Sequence, residues 1–213
     1  LSNFYLDILK DRLYISASAS IERKAAQSAL YHILNNLIRL LAPVLVFTSE
    51  EVFDHMPKDK KMKDINSVHL LTWNDLPSAW MDERIDKEFE LLLRLRPHVM
   101  KALEDKRREG VIGSSLEAKL IFKTASDRDY DYLLGFGEDL ADMFVVSQAA
   151  LEKVDRLDSA ISSEFSKTEV SVLKAEGAKC ARSWKYSLDV GADPQFPTLS
   201  KRSAEIVKEI LDA

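Results

Sequence analysis

From Asp82 to Glu109 the apolar residues Ile85, Phe89, Leu92, Val99 and Leu103 recur at helical spacing. Directly after Gly113 the period falls to two, with Leu116, Ala118, Leu120 and Phe122 alternating against Glu117, Lys119 and Lys123. A stripe at helical spacing needs a partner along one side of a cylinder, whereas strict alternation needs a sheet with one covered face, so the architecture has to change at this point. Gly110 suits the left-handed position that ends a helix, and Pro97 removes one backbone donor inside the stripe, where a kink is expected.

Upstream, Leu30, Ile33, Leu34, Leu37 and Leu41 mark the core face of a second helix, with Ser20 as its N-cap. Thr48 and Glu51 form a capping-box pattern ahead of Val52 and Phe53, so a further helix is expected to begin there after Pro43. Pro57 to Ser67 reads as a solvated lysine-rich loop and Val68 to Trp73 as a short extended segment. Trp73 to Trp80 reads as a loop pinned by its rings. Downstream, a helix over Asp127 to Phe136 and strands over Phe144 to Leu151 and Glu169 to Leu173 complete a small α/β module. A terminal helix is expected from about Ala204, with Val207, Ile210 and Leu211 as its apolar face. The expected fold is mainly α: a helical bundle over 1–110, a small α/β module over 111–176, and a tail over 177–213.

The 213 residues carry a net charge of −5, which argues against holding DNA or RNA by bulk electrostatics. The distribution is uneven. Between Lys174 and Lys208 seven basic residues face four acidic ones, leaving an acidic body with a basic, aromatic tip. One cysteine excludes an internal disulfide framework and fits a reducing cytosol. The chain opens at Leu1 without Met, basic leader or spanning apolar run, so a cytoplasmic location without a membrane partner is expected. His32, His55, His69 and His98 show no metal-ligand spacing. Gly135-Phe-Gly137 reads as a turn rather than a phosphate cradle, and Ser114-Ser115 has no partner histidine nearby.

The tail reads Gly177-Ala-Lys-Cys180-Ala-Arg182-Ser183-Trp184-Lys185-Tyr186, then Asp189-Val-Gly191 and Pro197-Thr198-Leu199-Ser200-Lys201-Arg202-Ser203. It resembles the C-terminal zinc knuckle of bacterial-type isoleucyl-tRNA synthetases, in which two Cys-x-x-Cys pairs hold one zinc. Four further stretches are similar to that family in the same order: Asn3 to Tyr14, Leu40 to Phe53, Ile112 to Lys119 and Asp139 to Gln148. Only Cys180 stands at a ligand position, with Ser183, Ser200 and Ser203 at the other three. A neutral hydroxyl cannot replace a thiolate on zinc, so a knuckle without metal is expected.

The resemblance implies the anticodon-binding region of a monomeric enzyme that joins isoleucine to its tRNA with ATP and Mg²⁺. The chemistry would lie elsewhere in that enzyme, since the ATP-handling signatures His-Ile-Gly-His and Lys-Met-Ser-Lys-Ser are absent here, as is any editing segment. No catalytic residue and no cofactor are expected in this piece. Its partner would be isoleucine tRNA, met by Trp184 stacking on a loop base, by Lys179, Arg182 and Lys185 beside the ring, and by Lys10 and Arg12 on the stem. Two rivals stay open: the matching region of a valyl or leucyl enzyme, and a non-catalytic helical protein-interaction module.

Overall fold

The computed structural model describes residues 4–73, 76–157 and 160–212. The protein is mainly helical with a small sheet. Its contacts form two compact units, one from residues 18–82 and the other from 1–17 together with 83–213, limits that differ from the three consecutive segments read from the sequence.

In the 18–82 unit the first helix is introduced by Ser20, whose hydroxyl accepts the Arg23 amide at 3.2 Å. Counting along the whole chain, α1 is Tyr5–Tyr14, α2 is Ile21–Leu41 and α3 is Val46–His55. The core of this unit gathers Ile38, Ala42, Phe53, Met56, Met62 and Val68, with Tyr31, Leu34 and Val52 packed against it. The buried face of α2 is therefore turned from the expected one: Ala26 and Ile38 are buried, while Leu37 is exposed and Ile33 half-buried along an open groove. Helix α3 begins before Thr48, which lies inside it, because the Leu45 amide already bonds the Leu41 carbonyl and carries the chain from one helix into the next. The expected extended segment after Ser67 is instead a 3₁₀ turn over Val68–Leu70. The Glu50 carboxylate draws it in, accepting the Ser67 hydroxyl and the Val68 amide, each at 3.0 Å. Trp80 meets the His32 ring edge-on at 4.7 Å, but Trp73 is exposed, so one of the two expected pins holds.

The larger unit is built on α4 (Glu83–Arg108), which continues through Pro97 and buries Leu92, Leu95, Val99 and Leu103. Its packed length starts at Leu92, so Ile85 in the first turn is exposed, and Phe89 reaches only the edge of the Phe4 ring at 6.5 Å. Strand β1 (Ala118–Thr124) lies at the centre of a three-stranded sheet, parallel to β2 (Gln148–Lys153) and antiparallel to β3 (Thr168–Lys174), with Leu120 opposite Ala149 and Val172. The strict burial of Ala118, Leu120, Phe122 and Thr124 is the alternation seen in the sequence. The parallel crossover from β1 to β2 carries α5 (Asp127–Leu134) and α6 (Asp139–Met143).

Helices α4 and α6 end by the same hydrogen-bond motif. After α4, Gly110 (φ +75°) donates to the Arg107 carbonyl and Val111 to Lys106; after α6, Val145 (φ +56°) donates to Asp142 and Val146 to Ala141, each at 3.0 Å. Both have the pattern of a Schellman termination. Phe144, Val145 and Val146 are consumed by that turn, which is why β2 starts later than the apolar run indicated. The tail adds a two-stranded ribbon, β4 (Ala178–Lys179) and β5 (Tyr186–Ser187), and α7 (Lys201–Leu211). Helix α7 buries Ser203 and Ala204 through its first turn; Ile210 and Leu211, expected on its buried face, are exposed.

Candidate nucleic-acid interface

Gly177 sets the entry to the tail. Its φ is +88°, and a Cβ there would fall 2.2 Å from the Ser187 carbonyl oxygen, so the ribbon closes only with glycine at this place. Beyond it the chain turns back at once. The Cys180 amide donates to the Lys185 carbonyl and the Trp184 amide to the Cys180 carbonyl, both at 2.9 Å. The second bond holds Trp184 at φ +63°, in the left-handed region where non-glycine residues are rare.

The four knuckle positions converge. Cys180 is fully buried, its sulfur 3.4 Å from the Ser203 hydroxyl, 3.4 Å from the Ser200 amide and 3.6 Å from the Ser200 hydroxyl. Ser200 precedes α7 yet makes no side-chain cap, since its hydroxyl is turned to the sulfur. Burial pushes the Cys180 thiol up, but donors from Ser183, Ser200 and Ser203 outweigh it and bring the thiol down to about 6. One sulfur and three hydroxyls do not fit zinc, which needs several anionic or imidazole donors. Among the described residues no group of three or more His, Cys, Asp or Glu side chains could hold a metal ion.

Three cations of the tail fasten it to α1 and α6. Arg182 donates to the Ile15 carbonyl at 2.5 Å and to Tyr14 at 3.4 Å. Lys185 pairs with Asp142 and stands 3.6 Å from the Asp11 carboxylate, whose other oxygen receives Arg202 at 2.7 Å. Arg202 also reaches the Ser16 hydroxyl at 3.0 Å. Burial raises the Asp11 carboxyl, the largest single influence on it, but Arg202 and Lys185 together hold it below its ordinary value. Ser147 adds a fourth tie, accepting the Tyr186 amide at 2.7 Å while donating to the Leu116 carbonyl.

Above these ties lies a cleft of about 320 Å³ lined by Lys10, Tyr14, Val145, Arg182, Trp184 and Lys185, among others. Trp184 is 62% exposed, and the Lys179 ammonium stands 5.4 Å from its ring centroid. The structure thus gathers five of the six residues singled out from the sequence. Lys10 is engaged with Asp7 at 2.7 Å, in a surface pair. Arg12 does not line the cleft and ties α1 to α6 through Asp139 at 2.9 Å. Sequence reasoning overlooked Asp11, Asp142 and Val145. Asp11 carried a signal, standing on the same face of α1 as Ile8 and Ile15, where a carboxylate needs a partner.

Residues 1–122 match the family model described as the anticodon-binding domain of tRNA ligase. Over 211 residues, 98% of the chain, the sequence is 38% identical to an isoleucine-tRNA ligase of Kosmotoga olearia. It is 39% identical over 210 residues to one of Syntrophotalea carbinolica and 37% identical over 209 residues to one of Thermotoga maritima. The chain spans about a fifth of the length of these relatives, 22% of each.

Proposed function

Because the chain belongs to the anticodon-binding domain family of tRNA ligases, we propose that it is the tRNA-gripping part of an isoleucine-tRNA ligase. The parent enzyme would attach isoleucine to its tRNA with ATP and Mg²⁺, as a cytoplasmic monomer. This region would supply binding energy that positions the distant acceptor end rather than chemistry. Similarity to isoleucine-tRNA ligases over 98% of the chain supports the isoleucyl reading over a valyl or leucyl one.

The observation that carries the RNA-facing role is Trp184: a large aromatic ring exposed at the rim of a built cleft, with Lys179 beside it. Unstacked loop bases dock on such rings, at about 1–3 kcal/mol per base. Lys179 has no ion-pair partner among the described residues and is the cation best placed for a loop phosphate. Arg182 and Lys185 act from below, holding the turn that presents the ring. Lys10 and Arg12 on α1 would meet the stem by exchanging their surface carboxylate partners for phosphates. The tail would do this without metal, its four ligand positions being held by hydrogen bonds around Cys180.

The test is a titration of the protein with an isoleucine tRNA transcript and its anticodon-swapped twin at low and moderate salt, repeated with Trp184→Ala. Preference for the correct anticodon, lost with the ring and weakened steeply by salt, is expected. Equal binding of both transcripts by both proteins would move discrimination away from this tip. A partner bound without salt dependence would favour a protein-interaction module instead.

A further inference from the structure

Among the described residues the non-glycine positions with a left-handed backbone are Val145 and Trp184, and both line the same 320 Å³ cleft. Neither turn needs a side chain there. The Schellman end of α6 is the motif that α4 completes with Gly110, and a β-branched residue at that place is strained where glycine is not. The Cys180 to Lys185 turn likewise closes through backbone bonds alone, and glycine at its left-handed position would be free of strain. Strain of this kind persists where surrounding structure enforces it and gathers at ligand clamps. Here the enforcement is visible: Lys185, in the second turn, pairs with the carboxylate of Asp142, whose carbonyl accepts the Val145 amide of the first, and Arg182 fixes the second turn to the end of α1.

We propose that Val145 and Trp184 are the two apolar walls of a slot that takes a single unstacked nucleobase from the RNA loop. The proposal rests on the tRNA-binding reading and specifies how a base is held: the Trp184 ring stacks on it and Val145 bounds it from α6. Below the slot Lys185 is on Asp142, Arg202 on Asp11 and the Arg182 guanidinium on the Ile15 and Tyr14 carbonyls, so the cationic donors are engaged and the interior suits a flat neutral ring rather than a phosphate. At the rim stand Lys179, beside the ring, and Lys10, which would exchange Asp7 for a phosphate of the backbone that carries the base. The cleft is at the small end of ligand sites, which fits one base and not a folded segment.

The experiment measures affinity of the full chain for the anticodon stem-loop and for stem-loops made abasic at each loop position in turn, alongside Val145→Gly, Val145→Asn and Trp184→Ala. One position is expected to matter most. Its removal and Trp184→Ala should each weaken binding by roughly five- to hundred-fold, without adding to one another. Val145→Gly and Val145→Asn should weaken binding at that same position by several-fold while the midpoint of thermal unfolding stays level or rises, because both residues tolerate the left-handed backbone. Unchanged binding in both Val145 variants, with Trp184→Ala still impaired, would overturn the slot and leave the tRNA-binding reading standing. A lowered unfolding midpoint with weaker binding at every position would assign Val145 to packing and also overturn it. Full binding by Trp184→Ala would remove the slot and the RNA-facing role of Trp184, and leave tRNA binding to other parts of the chain.

Discussion

The thiol of Cys180 offers a direct measure of how the tail is held together. In the folded protein the serine donors outweigh burial and bring it down to about 6, against an ordinary value of 9.0 that the unfolded chain regains. Between these two values the unfolded chain binds more protons than the folded one, so stability rises with pH across this window. The contribution is absent below about pH 6, grows by a little more than 1 kcal/mol per pH unit, and approaches about 4 kcal/mol above pH 9. The assay is urea unfolding at pH 6, 7 and 8 under reducing conditions, in a background where Trp73 and Trp80 are phenylalanine so that Trp184 alone reports. Cys180→Ser keeps a hydrogen-bonding group but cannot ionise here, and its difference from the parent isolates the thiol. That difference should widen by about 2 to 3 kcal/mol from pH 6 to pH 8. A flat difference would mean that the serine donors do not stabilise a thiolate, and the account of the hydrogen-bonded centre would fall.

Three further outcomes test how the elements are fixed. Gly177→Ala places a Cβ 2.2 Å from the Ser187 carbonyl at φ +88° and should cost about 2–3 kcal/mol, seen as lost hydrogen-exchange protection at Cys180 and Tyr186. Thr168→Val removes the hydroxyl that donates to the buried Asp129 carboxylate at 2.8 Å; a loss of about 1–3 kcal/mol in denaturant unfolding is expected, and no loss would mean that Asp129 finds another donor. Ser20→Ala strips the cap from the Arg23 amide and should cost about 1 kcal/mol, read from the unfolding of the 18–82 unit, with Ser20→Asp restoring it.

What could be read from the sequence was set by local physics. The alternation from Ala118 to Phe122 is a strand because a half-covered sheet needs it, and Gly110 ends α4 because a left-handed residue is required there. The errors arose where distant groups decide. Val68 to Leu70 curls because Glu50, on another element, accepts its amide. Ile85 and Ile210 look buried by spacing, yet nothing in spacing tells how far along a helix its partner extends. In the candidate site the type of residue was visible and its engagement was not. Arg182 and Lys185 stand out as cations beside a tryptophan, but only the folded chain shows the Ile15 carbonyl and the Asp142 carboxylate that occupy them. Val145 was invisible because strain belongs to a backbone angle and not to a residue.

The tail gathers two of its segments around the single buried thiol of Cys180. A bound ion would fix the Cys180 turn and the start of α7 by bonds to a common centre, whereas here the sulfur is that centre, gathering Ser200 and Ser203 by weaker hydrogen bonds. Such bonds hold the two segments to each other but do not orient the pair on the body. Orientation comes from Arg182, Lys185 and Arg202, which reach α1 and α6 through two backbone carbonyls and the carboxylates of Asp11 and Asp142. These three cations are thereby turned inward, and what faces outward is the Trp184 ring with Lys179 beside it. On the tRNA-binding reading, Asp11→Asn should therefore weaken binding of an anticodon stem-loop in a titration, by freeing the turn that presents Trp184; unchanged affinity would mean that Arg182 and Asp142 orient the turn without it.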